Sequence, residues 1–303
     1  MSAPLSMPDA VAPFQLAPAS RYSIEQLTAA YNQTRVDYLV PMPMNAARLA
    51  DYIRTYDVDL AHSFVAAAGQ MLGLGLLGVR PDCTWITRLG VLPVQRRHGV
   101  GRAIVEALLE ASETVGGERT VLEVIKNNVP AYNLFWDSGF REARELLVLR
   151  RPPGPPAAVT VGEARWLDRA EALALAEQRR APESWITDVQ SLAHVEQLMG
   201  VRLTLPDGSR GWIVFEHQRH GKYIVVLSRF ALSTEQGNPI TLGKALLAHV
   251  YQRFPDLDTH IENIAAGDPH LPALYAMGYV ESFRRIEMQR LNGVGGRRAD
   301  PAA

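Results

Sequence analysis

Apolar and polar positions along this chain follow two rhythms in turn. From Trp85 to Leu92 the positions are nearly all apolar or small, a run that predicts a buried strand. Pro93 closes it, a short basic loop with Gly99 and Gly101 follows, and Ile104, Val105, Leu108 and Leu109 then recur at helical spacing. Thr120–Val124 predicts a second buried strand. The same order can be read again further on. Tyr223–Leu232 predicts a long strand, Thr241–Arg253 a helix, Leu257–Glu262 a strand, and Val280–Leu291 a closing strand that alternates in part.

Between the two series lies Arg151-Pro152-Pro153-Gly154-Pro155-Pro156, which can continue neither helix nor strand. A chain of 303 residues suits two domains. The predicted division is a first domain at 14–150, a linker at 151–157 and a second domain at 158–292, with flexible ends at 1–13 and 293–303. Each half reads as a short strand, two helices, a hairpin, a long strand, a helix, a strand, a short helix and a last strand. That is a weak internal repeat.

A hydrophobic content of 47% and a charged content of 21% are those of a folded soluble protein. The net charge of −1 supports neither nucleic-acid binding nor a basic membrane-binding surface. The one cysteine, Cys83, excludes an internal disulfide and a multi-cysteine metal site, and in its apolar run it reads as a small hydrophobe. The histidines show no metal-ligand spacing, so no metal is expected. No apolar run approaches the roughly 18 residues of a membrane span, and the N-terminus lacks a signal-peptide pattern. The expected location is the cytoplasm.

The basic loop carries the chemistry. Gly99 and Gly101 have no Cβ, so the backbone there can approach a ligand closely. The helix that follows offers unpaired N–H groups and the positive end of its dipole, and Arg96, Arg97 and Arg102 add charge. Together these describe a cradle for a diphosphate. The loop is neither Gly-x-x-x-x-Gly-Lys-Ser/Thr nor Gly-x-Gly-x-x-Gly with an acidic ribose ligand beyond it, so triphosphate and dinucleotide folds fit poorly.

Arg96-Arg97-His98-Gly99-Val100-Gly101, led by Val91-Leu92-Pro93, resembles motif A of the GNAT acyltransferases. Leu122-Glu123-Val124 and then Asn128-Val129-Pro130-Ala131-Tyr132-Asn133-Leu134-Phe135-Trp136-Asp137-Ser138-Gly139-Phe140 resemble motif B, in the family's order and separation. The resemblance covers roughly residues 15–150. Leu274-Tyr275-Ala276-Met277-Gly278-Tyr279 resembles the end of motif B in the second half. The implied fold class is mixed α/β: two tandem GNAT folds, each a twisted mixed central sheet flanked by helices.

The resemblance further implies an N-acetyltransferase that moves acetyl from acetyl-CoA to a primary amine by direct attack in a ternary complex. The pyrophosphate would lie on Arg96, Arg97, His98, Gly99, Val100, Gly101 and Arg102, and the pantetheine and thioester along Leu89, Gly90 and Val91. Asn128 and Phe135 stand at coenzyme-contacting positions, and Glu123 at that of the catalytic base. The tyrosine that serves as acid in related enzymes is here Phe135, which cannot donate a proton. The thiolate therefore leaves unaided, or Tyr132, one turn earlier, serves. Plainer readings stand beside these: Glu123 as a strand carboxylate paired with an arginine, Tyr132 as a packing aromatic, Asn128 as a helix N-cap. An acyl-CoA-binding sensor or scaffold without catalysis is the alternative function.

The second half departs from the pattern. Ser233–Thr241 has one glycine, no arginine, Glu235 with the wrong sign and Pro239 without an N–H, so coenzyme binding is expected only in the first half. The acceptor would be a small-molecule or peptide amine. A monomer is favoured over a dimer, since two fused domains can form their pairing contact internally. His98 reads as solvent-facing or phosphate-adjacent, and Tyr38–Met44 as an apolar loop at the substrate entrance. Asp51, Asp57 and Asp59 would draw a cationic amine or simply be solvated. Strict alternation puts Trp85, Thr87 and Leu89 on one strand face and Ile86 and Arg88 on the other. Arg88 then needs a carboxylate partner, with Glu123 one candidate.

Overall fold

The computed structural model describes residues 13–293 apart from Pro41, Ala157, Thr160, 180–182 and 220–224. Most of the ends expected to be flexible, and the start of the strand expected from Tyr223, lie outside the described residues. Contacts gather the chain into two compact units, neither continuous in sequence. The first takes the chain through Leu122, Pro130–Arg141 and the residues from Gln289; the second takes Glu123–Val129 and Glu142–Met288. Residues 142–150, read above as the end of the first domain, thus belong to the second unit, and Gln289–Asn292 to the first. A strand's place depends on which neighbours it bonds to, and its own apolar pattern does not name them.

The first unit begins with β1 (Gln15–Pro18), α1 (Ile24–Gln33), α2 (Ala46–Thr55), β2 (Phe64–Ala68), β3 (Gln70–Arg80) and β4 (Cys83–Val91). It continues through α3 (Val100–Thr114), most of β5 (Arg119–Ile125) and α4 (Val129–Asp137). β1 to β4 pair antiparallel in sequence order, and β5 joins β4 in parallel. α1 starts at a capping box, in which Ser23 and Gln26 satisfy each other's backbone N–H. α3 buries Val100, Ile104, Val105 and Leu108 along one face. It lies against β3, where Gly75 leaves the room: a Cβ there would fall 2.7 Å from Ile104 and 2.8 Å from Leu108.

β4 pairs with β5 from Cys83↔Arg119 to Ile86↔Leu122. Two residues further on, Arg88 takes a left-handed φ of 55°, and the register against β3 shifts between Leu74 and Leu76. This bulge overturns the strict alternation expected of the strand. Arg88 and Thr87 both meet Tyr52. The Arg88 guanidinium lies 4.1 Å from the Tyr52 ring centre, and the Tyr52 hydroxyl bonds Thr87 Oγ1 at 2.6 Å.

The second unit carries β6 (Arg141–Arg151), β7 (Glu163–Leu167), α5 (Arg169–Ala176), α6 (Val189–Ala193), β8 (Leu198–Thr204) and β9 (Arg210–Arg219). β10 (Val225–Gln236), α7 (Pro239–Arg253), β11 (Leu257–Ala265), α8 (Leu271–Ala276) and β12 (Val280–Leu291) follow. Its strand order is β12-β6-β11-β10-β9-β8-β7, with β10 and β11 parallel. Leu147, Leu149, Val201, Ile213 and Phe215 from the strands meet Leu242, Leu246 and Val250 of α7 in its core. The repeat persists in detail. Arg229 in β10 has a φ of 49° at a register shift, as Arg88 does in β4. Tyr251 of α7 bonds Thr259 of β11 at 2.9 Å, as Ser112 of α3 bonds Thr120 of β5 at 2.8 Å.

Candidate active site

The basic loop ends at Gly99, the N-cap of α3, with a left-handed φ of 82° and no side-chain cap. A Cβ on Gly99 would meet nothing within 4 Å, so the space beyond the helix end is open. The first intrahelical bond runs from Ala103 N to Gly99 O at 3.0 Å. The N–H groups of Val100, Gly101 and Arg102 therefore point out of the positive end of the helix. Arg97 and His98 are exposed beside it. Arg102, half-exposed, makes a loose 3.4 Å contact with Asp137. Donors without acceptors, a left-handed glycine and a cationic rim fit a diphosphate.

The matching helix of the second unit is closed. Asn238 caps α7, its Oδ1 accepting from Ile240 N at 2.9 Å and Thr241 N at 3.1 Å. Leu242 N bonds Asn238 O at 3.0 Å, and Pro239 has no N–H to offer. Glu235 is held by Arg202 at 2.8 Å and Arg210 at 3.5 Å.

Arg96 makes a two-pronged pair with Asp37 at 2.8 and 2.7 Å, and also donates to Thr34 O and Val91 O, each at 3.2 Å. The hydrogen bonds from Arg96 hold the Asp37 carboxyl below its ordinary range. Arg96 thus braces the segment after α1 against the end of β4. There Leu89, Gly90 and Val91 are half-buried, and a Cβ on Gly90 would fall 2.3 Å from Thr34 Oγ1. Only glycine lets the end of α1 close onto this strand. Asn32 pins the following loop, donating to Met44 O at 2.8 Å and accepting from Met44 N at 3.0 Å, while the Tyr31 hydroxyl donates to Met42 O.

On α4, Phe135 is buried with its ring edge-on to Phe140, and half-buried Tyr132 stacks on Trp136. Glu123 and Asn128 belong to the second unit. Asn263 Nδ2 donates to Glu123 Oε1 at 3.1 Å, Arg285 donates to Asn263 Oδ1 at 2.6 Å, and Arg285 pairs with Glu262 at 2.7 Å. Glu123 is therefore linked to an arginine through an amide. Asn128 N donates to Ile125 O at 2.8 Å.

The carboxylates read as drawing a cationic amine or as simply solvated are each paired: Asp51 with Arg54 at 2.6 Å, Asp57 with Arg80 at 2.8 Å, Asp59 with His62 at 2.6 Å. Cys83, read as a buried hydrophobe, is half-buried at the start of β4. No group of three or more metal-ligating side chains gathers among the described residues. What the sequence reading missed is a cluster of Tyr31, Arg35, Tyr38, Tyr52 and Arg88 around β4. The helical spacing of Tyr31, Arg35 and Tyr38 was its one visible sign.

Residues 25–140 match the model of the acetyltransferase (GNAT) family. That stretch, under half of the chain, is a GNAT domain and supports reading the chain as an acyltransferase. No curated protein matches it. Among solved structures, a tandem GNAT protein from the clavulanic acid biosynthesis pathway shares the fold over 93% of this chain and 100% of its own, at 13% identity and a TM-score of 0.66. A GCN5-related N-acetyltransferase from Sphaerobacter thermophilus covers 94% and 97%, at 14% identity and a TM-score of 0.67. One from Anabaena variabilis covers 92% and 73%, at 14% identity and 0.61. These likenesses extend a GNAT fold over both halves. Among the described residues no helix is long and apolar enough to cross a membrane.

Proposed function

We propose that the first unit binds acetyl-CoA at the N-terminus of α3 and that the protein transfers the acetyl group to a primary amine. The observation that carries this reading is the contrast between two helix ends: α3 leaves its N–H groups for a ligand, whereas Asn238 and Pro239 leave α7 none to give. Acetyl-CoA would supply an acyl group already activated as a thioester. The amides at 96–102, with Arg97 and Arg102, would hold its diphosphate, and the backbone of Leu89–Val91 its pantetheine arm.

Glu123 is the residue we assign to take the proton from the attacking ammonium. The freed amine then bonds to the thioester carbonyl carbon, the carbon–sulfur bond breaks, and the thiolate leaves with a proton from Tyr132 or solvent. Phe135 supplies none. The cytoplasm as location and a monomeric state belong to the same proposal.

Calorimetric titration of acetyl-CoA into the wild type and Gly99→Glu tests the binding site. Binding to the wild type alone supports it; equal binding to both moves the coenzyme elsewhere, and no binding to either removes the acetyltransferase reading. For the base, Glu123→Gln should lower kcat for amine-dependent CoA release by about 10²–10⁴ while leaving acetyl-CoA affinity unchanged.

A further inference from the structure

Arg35, just past the end of α1, holds a half-buried positive charge with no ion-pair partner among the described residues. Its Nη1 donates to Thr34 Oγ1 at 3.0 Å and its Nη2 to Leu89 O at 3.1 Å. Its Nε is buried with no hydrogen-bond partner. The guanidinium lies 4.1 Å from the Tyr31 ring centre and 5.3 Å from that of Tyr38, and no described carboxylate forms an ion pair with it. Burial lowers its pKa from the ordinary arginine value, and nearby Arg88 pushes the same way.

A buried cation without an anion is costly, and a packing role alone would be served by an apolar chain of similar length. Beside β4 the first unit keeps Arg35 and its spare Nε–H. An amine carrying only positive charge would be repelled there. An amine that also bears an anion would be held by the Arg35 fork.

We propose that Arg35 anchors a carboxylate or phosphate on the acetyl acceptor, so that the acceptors are primary amines carrying an anionic group. The inference rests on the reading of Leu89–Val91 as the strand that receives the thioester.

Two measurements test it. The first is amine-dependent CoA release with matched acceptors: L-phenylalanine against phenethylamine, L-lysine against cadaverine, O-phosphoethanolamine against ethanolamine. The wild type should prefer the anionic member of a pair. Arg35→Met should then lose about 10–100-fold in kcat/KM for that member, chiefly through KM, with the uncharged member changed less than about twofold. Arg35→Lys, which keeps the charge without the fork, should fall between, and thermal melts establish that both variants fold.

The second measurement needs no turnover. The Arg35 Nε–H resonance, identified by its loss in Arg35→Lys, is followed while acetate or inorganic phosphate is added to the wild type. A saturable shift supports the anchor, and the tighter of the two anions names the group. No shift with either, or amines without an anion used as well as those with one, overturns it. A shift without acetyl-CoA binding overturns the acetyltransferase reading and leaves the anion site standing. Turnover without anion preference does the reverse.

Discussion

Gly99 and Asn238 occupy the same place in the two units, but Gly99 is left-handed at a φ of 82° and caps nothing, whereas Asn238 is extended at a φ of −88° and caps its helix. Asn accepts left-handed backbone better than most residues, so Gly99→Asn should keep the turn while putting a side chain into the open space beyond the end of α3. The expected outcome is weaker acetyl-CoA binding by calorimetry with a melting temperature little changed. Removing the cap in Asn238→Ala should cost about 1 kcal/mol, read as a lower melting temperature, with acetyl-CoA binding untouched. Gly99 was legible because glycines and arginines between a strand and a helix have a shared chemical meaning. Arg35 was not: a lone arginine at the end of a helix reads as a solvated surface charge, and only the close packing of β4 made it otherwise.

At the scale of elements, the strands and helices around the loop follow from their apolar periods, while the bulge in β4 does not. Nothing in Thr87-Arg88-Leu89 announces a positive φ, and the face assignments drawn from alternation failed from that residue on. The brace between Arg96 and Asp37 joins β4 to the segment carrying Arg35 and has its own pH dependence. Its hydrogen bonds set the folded pKa of Asp37 below the unfolded value of about 3.9. The stabilisation is therefore complete above the unfolded value and is lost as pH falls through the folded one. Between roughly pH 5 and pH 2, the wild type should lose more thermal stability than Asp37→Asn, measured by circular dichroism.

For the whole molecule, the repeat was visible in the order of elements, but the assignment of strands to units was not. A proline-rich stretch marks where the backbone cannot be regular, which differs from where contacts thin out. Asn292 shows the consequence. Its backbone N–H donates to Glu118 O, and its side chain to Gly117 O and Ser112 Oγ, while Thr120 donates to it, all within the first unit. Asn292→Ala strands several buried partners and should destabilise by about 1–3 kcal/mol, read in a denaturant titration. A chain ending at Met288 should lower the apparent stability of the first unit further, with hydrogen exchange rising at Ser112 and Thr120.

That arrangement also sets a schedule during synthesis. The first unit's helices and most of its strands leave the ribosome early, yet Gln289–Asn292, which close it, follow on the order of ten seconds later at ordinary elongation rates. Until then Ser112 and Thr120 lack the amide that completes their bonding, so the nascent chain passes through a stage in which their hydroxyls await a partner. A stop codon just before Gln289 would therefore be felt in the unit whose strands were made long before it.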